Sequence, residues 1–160
     1  MEGESPREET TRRSIVELLR GQRFAVLATD SEIGPYANLV AFWAAEDLSH
    51  IVFATLRATR KFNHLVTHPR VALLFDNRSN QDLDIGQAMA VTATGTAREV
   101  TDADARIAAV DEYLAKHPHL KTFISSPGCA IVKVDIDAYY VVTHFQNVVE
   151  LHLSADEDGC

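Results

Sequence analysis

The sequence predicts a mainly β domain, an antiparallel β-barrel with peripheral helices. Three observations point there. About seven short runs are apolar, β-branched or aromatic. Several of these runs are joined by a few residues of turn composition, which suits hairpins and leaves no room for the crossover that a parallel pair requires. Only three segments carry helical periodicity, too few for a doubly wound sheet. At 160 residues, 46% hydrophobic and 24% charged, the chain has the balance of one globular domain, which excludes wholesale disorder and a disulfide scaffold.

Met1–Thr10 carries Glu2, Glu4, Glu8 and Glu9 around Pro6 and reads as a solvated tail. From Thr11 to Arg20, Ile15, Leu18 and Leu19 recur at helical spacing, and Gly21 stops the pattern. Phe24–Thr29 and Tyr36–Ala44 are apolar runs on either side of Asp30–Pro35, whose composition is that of a turn, so a hairpin is expected. His50–Thr55 and Val71–Asp76 read as two further strands. Between them Thr59–His68 sets Phe62, Leu65 and Val66 on one helical face and is closed by Pro69. Ala88–Val100 alternates, with Val91, Ala93, Gly95 and Ala97 on one face, and Gly95 marks a bend or bulge. Thr101, followed by Asp102 and Asp104, is expected to cap a helix to about His117 with Ile107, Val110 and Leu114 facing the core. Cys129–Asp137, Tyr139–Thr143 and Val148–Leu153 complete the strands. The organisation expected is a disordered tail over residues 1–10, one domain over 11–153 and an acidic tail over 154–160.

A formal net charge of -8 speaks against nucleic acid or an anionic membrane as partner, because polyanions bind by exchanging counterions for protein cations. No run approaches the ~20 apolar residues of a membrane span, and the start lacks the basic and apolar regions of a signal peptide. Two cysteines, Cys129 and Cys160, make no disulfide framework. A cytoplasmic setting is expected.

The segment with chemical content is Arg57-Ala58-Thr59-Arg60-Lys61, where the Thr59–His68 helix begins. The N-terminus of a helix is a positive pole with free N–H groups, so cations there are unfavourable by up to ~1 kcal/mol each. A bound phosphate removes the conflict: Thr59 caps or donates, main-chain N–H groups point at the oxygens, and Arg60 and Lys61 neutralise the charge. The competing reading is an exposed basic helix end that balances acidic neighbours.

His50–Phe75, HIVFATLRATRKFNHLVTHPRVALLF, resembles the core of the pyridoxamine 5'-phosphate oxidase-like FMN-binding split barrels. A strand ending in a small residue and Thr leads there to Ser/Thr-Arg-Lys at a helix start, then to Asn-Pro-Arg or His-Pro-Arg and another strand. The likeness extends to Phe24–Trp43 and Val91–Glu99 and covers residues 12 to 150 in order. It implies an antiparallel split barrel of the FMN-binding type, FMN as cofactor, a small-molecule substrate, and a homodimer with flavin at the subunit interface. By position, Arg60 and Lys61 resemble the phosphate ligands, helped by Thr59. Ala54 and Thr55 resemble the strand positions beside the flavin, and Asn38, Leu39 and Val40 the stretch whose backbone runs along the ring system. Gln87 is a substitute, three residues out of register, for a Gln supplied by the partner subunit. The activity implied is that of a small FMN-dependent oxidoreductase, with no residue nominated as general acid or base. A flavin, haem or deazaflavin binding protein without catalysis is the alternative.

One departure bears on substrate. True pyridoxamine phosphate oxidases use an Arg and His pair near the C-terminus for their substrate, whereas this chain has no Lys or Arg after Lys133. Vitamin B6 phosphates are therefore expected to be poor substrates. His64 and His68, at i and i+4, lack a third metal ligand. His117 and His119 flank Pro118 at a helix end, a capping position, and His144 and His152 are the candidates for a haem ligand. Cys129, inside an apolar run, reads as a buried small residue.

Overall fold

The computed structural model describes residues 3–144 and 147–153. Seven strands form one antiparallel sheet: β1 (Phe24–Thr29), β2 (Tyr36–Ala44), β3 (His50–Leu56), β4 (Arg70–Asp76), β5 (Ala90–Glu99), β6 (Cys129–Thr143) and β7 (Asn147–His152). Their order is β3-β2-β1-β4-β5-β6-β7, and a further pairing of β6 with β3 closes the first six into a barrel. The helices are α1 (Pro6–Gly21), α2 (Arg60–Thr67), α3 (Asp84–Gln87), α4 (Ala103–Lys116) and α5 (Lys121–Ile124). Among the described residues no helix is long and apolar enough to cross a membrane.

Alternation builds the core. On β5 the buried residues are Val91, Ala93, Gly95 and Ala97, the face the sequence assigns inward. They meet Leu27, Phe42, Phe53, Phe75 and Tyr139 inside the barrel, with Phe62 and Leu65 of α2 at one end. A second, smaller cluster lies outside the wall, where Ala109 and Tyr113 of α4 and Ile124 of α5 cover Val52 and Ile131. Gly95 sits at a register shift, where Thr94 opposes Ala138 and Gly95 opposes Ile136. A Cβ at Gly95 would run into the main-chain oxygen of Asp135, so the close approach of β5 and β6 needs glycine.

Four expectations are corrected. Residues 6–10 are helical, not a disordered tail. The Ser5 hydroxyl accepts from the Glu8 N–H at 3.2 Å while the Glu8 carboxylate accepts from the Ser5 N–H at 2.8 Å, a reciprocal cap with Pro6 in the first turn. The cap of α4 is Asp102 rather than Thr101, its carboxylate accepting from Ala105 N–H at 2.9 Å. On α4 Val110 and Leu114 pack inward as expected, but Ile107 is 60% exposed and the buried residues are Ala109 and Tyr113; the Tyr113 hydroxyl, donating to Ala41 O at 3.2 Å, sets that rotation. Cys129–Thr143 is one strand, since the bulge absorbs Asp137 without breaking the ladder. The acidic stretch 154–160 lies outside the described residues.

Candidate functional site

The barrel is open along one seam. β2 and β3 pair only through Phe42–Phe53, Trp43–Val52 and Ala44–Ile51. Continued, that register would join Ala41 to Ala54 and Leu39 to Leu56, but the strands part. β2 goes on pairing with β1 as far as Tyr36, and β3 with β6 as far as Leu56. Beyond Phe42 and Phe53 the two edges are not paired with each other, and of their seam-facing groups Ala41 O accepts from the Tyr113 hydroxyl. The Phe42 N–H donates back to Arg23 O, so by alternation Leu39 turns its main-chain polar groups away from β1, toward the seam.

The predicted residues divide between these edges. Val40 is buried in the core, and by the same alternation its main-chain groups pair with β1, so it offers a ligand neither side chain nor backbone, whereas Leu39 is 66% exposed. Asn38 shares the inward parity of Val40 and is half-buried. Its Oδ1 is buried and without a hydrogen-bond partner, an orphaned acceptor that costs roughly 1–3 kcal/mol when left unmade. Ala54 packs toward the outer cluster. Thr55 is buried with its hydroxyl 3.0 Å from that of Thr59.

Thr59 caps α2. Its hydroxyl donates to Leu56 O at 2.7 Å and accepts from Phe62 N–H at 3.4 Å, and its N–H bonds Leu56 O. The groups left for an anion are thus the main-chain N–H groups of Arg60 and Lys61 and their side chains. Of the three cations grouped by the sequence, Arg57 is committed elsewhere, with Nε 2.8 Å from Glu99 and one guanidinium nitrogen 3.0 Å from Pro127 O. Arg60 lies over the Tyr36 ring at 5.8 Å and has no carboxylate partner among the described residues. Lys61 is half-buried, also without such a partner, and its burial pushes its pKa down. A dianion there would meet two cations at a positive helix pole.

Tyr36 and His64 were not singled out as a unit by the sequence. The His64 ring meets the Tyr36 ring edge-on at 5.6 Å, and His64 Nδ1 hydrogen-bonds the buried Thr29 hydroxyl at 3.1 Å. These contacts tie α2 to the hairpin end of β1 and β2. A Tyr directly after Pro35 and a His one turn into α2 were the available signals, but neither spacing reports that they touch. Among the described residues no three His, Cys, Asp or Glu side chains are grouped to hold a metal.

Gln87 is not brought to this site within one chain. It is exposed on α3, beyond the Asp76 end of β4, whereas α2 leads into β4 at Arg70. His144 is held by Gly86 O at 3.0 Å and His152 by Glu150 at 2.8 Å, both exposed. His117 ends α4 as its cap residue, and its buried ring reaches Phe42 O at 2.6 Å. Burial raises the pKa of Cys129, which disfavours the thiolate.

The donor set fits FMN. A phosphate monoester would find the unpaired cations and N–H groups of α2, and a flat ring carrying N–H and carbonyl groups would find unpaired strand edges beside the Asn38 orphan. Comparison with known proteins agrees on the architecture. No curated protein matches the chain in sequence. Solved structures superpose along most of it: a heme binding protein from Mycobacterium smegmatis (TM-score 0.77, 16% identity, 94% of this chain and 60% of that one), General Stress Protein 26 from Bacillus anthracis (0.65, 18%, 89% and 98%), and a FAD-binding protein from Mesorhizobium loti (0.65, 14%, 81% and 91%). At these identities the likeness is one of fold. The model of the pyridoxamine 5'-phosphate oxidase family, in contrast, matches residues 11–143, from within α1 to the end of β6. A sequence match of that extent, on a barrel open along one seam, means that the chain belongs to the pyridoxamine 5'-phosphate oxidase family.

Proposed function

We propose that the protein binds FMN in the seam between β2 and β3 and acts as a small FMN-dependent oxidoreductase. The observation that carries this reading is the pair Arg60 and Lys61, two cations without carboxylate partners in the first turn of α2. FMN, when bound, would supply two-electron transfer at its N5. Arg60 and Lys61 would hold the phosphate, Leu39 and Ala54 would present their strand edges to the ring, and Asn38 would offer its orphaned acceptor. Without Lys or Arg after Lys133, a phosphorylated substrate would be buried with few cations to meet it, so vitamin B6 phosphates are expected to be poor substrates.

The working unit is a homodimer in the cytoplasm. Cross-strand register puts Leu39, Val26, Leu74, Thr92 and Tyr140 in one row on the outer face of the sheet. Phe24 beside them is 61% exposed. A contiguous apolar strip of this kind suits a self-complementary interface, and a partner's Gln87 would then have a route to the flavin. Light scattering reads this directly: a mass near 17.7 kDa with FMN bound overturns it.

The cofactor assignment is tested by titrating FMN and riboflavin against the natural chain and an Arg60→Ala/Lys61→Ala variant. Charge-assisted contacts contribute roughly 1.5–3 kcal/mol each, so FMN binding is expected to weaken at least tenfold while riboflavin binding holds. Equal losses for the two ligands, or a Soret band from haem taken up in place of flavin, would sink the assignment.

A further inference from the structure

A cleft of about 410 Å³ lies between α1, the β2–β3 turn and α4, away from the seam. Val16, Leu19, Trp43 and Leu48 give it apolar walls. Its charged groups are equal in number: Arg20, which pairs with Glu46 at 2.9 Å, and Lys116 stand against Glu46 and Glu112. Yet Lys116 makes no ion pair with Glu112. Its Nζ turns inward, donates to Leu19 O at 2.9 Å and stands 3.9 Å from the centre of the Phe42 ring.

No other lysine in the chain is placed like this. Lys61 belongs to the phosphate-type site, Lys121 is exposed, and Lys133 lies 3.7 Å from Asp135. Burial alone, with no counter-charge, pushes the Lys116 pKa down to about 8. Near neutral pH its uncharged fraction is then roughly two orders of magnitude above that of an ordinary lysine. A desolvated lysine beside apolar surface is the usual form of an amine nucleophile.

We propose that this cleft is a second small-molecule site, in which Lys116 Nζ condenses with a neutral aryl or short-chain alkyl aldehyde. The balanced charge of the walls gives an anion no field to follow, and the apolar floor favours an apolar body. The volume is that of ordinary ligand pockets. The amine lone pair forms the N–C bond, and the carbonyl oxygen leaves as water carrying both amine protons. The imine nitrogen then takes one proton from solvent, and the resulting iminium N–H can donate to Leu19 O as the amine did.

The test uses the full-length protein supplied with FMN, benzaldehyde as the probe and cyanoborohydride to fix any imine as a secondary amine, followed by peptide mass mapping. Lys116 is expected to take the label at least about tenfold faster than Lys121 and Lys133, at a rate that rises as pH increases through the Lys116 pKa. Lys116→Arg keeps the cation and a donor for Leu19 O but no nucleophilic amine, and loses this label. Ala115→Phe, on the cleft wall, slows it with Lys116 in place. Label shared evenly among the three lysines, or an unchanged rate in the Ala115→Phe protein, overturns the proposal, and neither outcome depends on how tightly FMN binds.

Discussion

Lys61 and Lys116 are both half-buried, both have their pKa lowered by burial, and neither has a carboxylate partner among the described residues. Their surroundings differ. Lys116 is the last residue of α4 and bonds a carbonyl in the last turn of α1, so two negative helix poles and the face of Phe42 compensate its charge. Lys61 lies in the first turn of α2, beside Arg60, which stands over the Tyr36 ring at the start of β2. The position of Lys116, at the favourable end of a helix, calls for no bound anion. A cation at the unfavourable end is not favoured by the fold, and two stand there together without carboxylate partners among the described residues, which is the ground for proposing a phosphate there.

The largest test of that contrast is Lys61→Glu. It places an acid at the helix pole that prefers one, so the ligand-free protein is expected to gain about 0.5 kcal/mol in a urea melt. FMN affinity is expected to fall by about two orders of magnitude, because a ligand cation becomes an anion facing a dianion. Opposite signs for the two measurements are the signature. A loss of stability together with a loss of binding would mean that Lys61 supports the fold.

Asn38→Leu is the intermediate case. It keeps roughly the same volume and removes an acceptor that no donor satisfies, so the ligand-free protein is expected to gain about 1 kcal/mol. FMN binding is expected to weaken by about tenfold, since a hydrogen bond available only to the ligand is gone. Calorimetry on the free and FMN-loaded forms separates the two. Unchanged stability would show that Asn38 Oδ1 already reaches a donor.

The contrast also separates what was legible in the sequence from what was not. β1 and β2 run from Phe24 to Thr29 and from Tyr36 to Ala44, as read from apolar runs bounded by turn residues, because burial imposes that pattern locally. Arg60 and Lys61 were legible because their charge conflicts with their position in a helix, which is also local. The capping box of Ser5 and Glu8 is also a local pattern, S-x-x-E, and it makes residues 6–10 helical where the acidic composition suggests a tail. The rest depends on distance along the chain. The seam exists because β2 and β3 stop pairing after three residue pairs, and no residue in either strand encodes an absent partner. The orphaned oxygen of Asn38 and the inward turn of Lys116 depend on side chains tens of residues apart.

The smallest expected effect is a pH dependence from Lys116. Its folded pKa is lowered to about 8 from an unfolded value of about 10.4. Between these values the unfolded chain binds more protons than the folded one, so this group makes stability rise with pH, from near 8 toward 10. Below that window both states are protonated and the cost of burying the cation is constant. The full shift would amount to roughly 3 kcal/mol, but the side chain is partly exposed and screening reduces the gain to about 1 kcal/mol. Urea midpoints at about pH 7.5 and 9.5, compared between the natural chain and Lys116→Met, isolate this group, because methionine keeps the stem packed on Phe42 and does not titrate. The expected result is a stability difference that shifts toward the natural chain by about 1 kcal/mol at the higher pH. A difference that stays constant between the two conditions would mean that Lys116 titrates as an exposed lysine, and would remove the chemical basis for a reactive amine in the cleft.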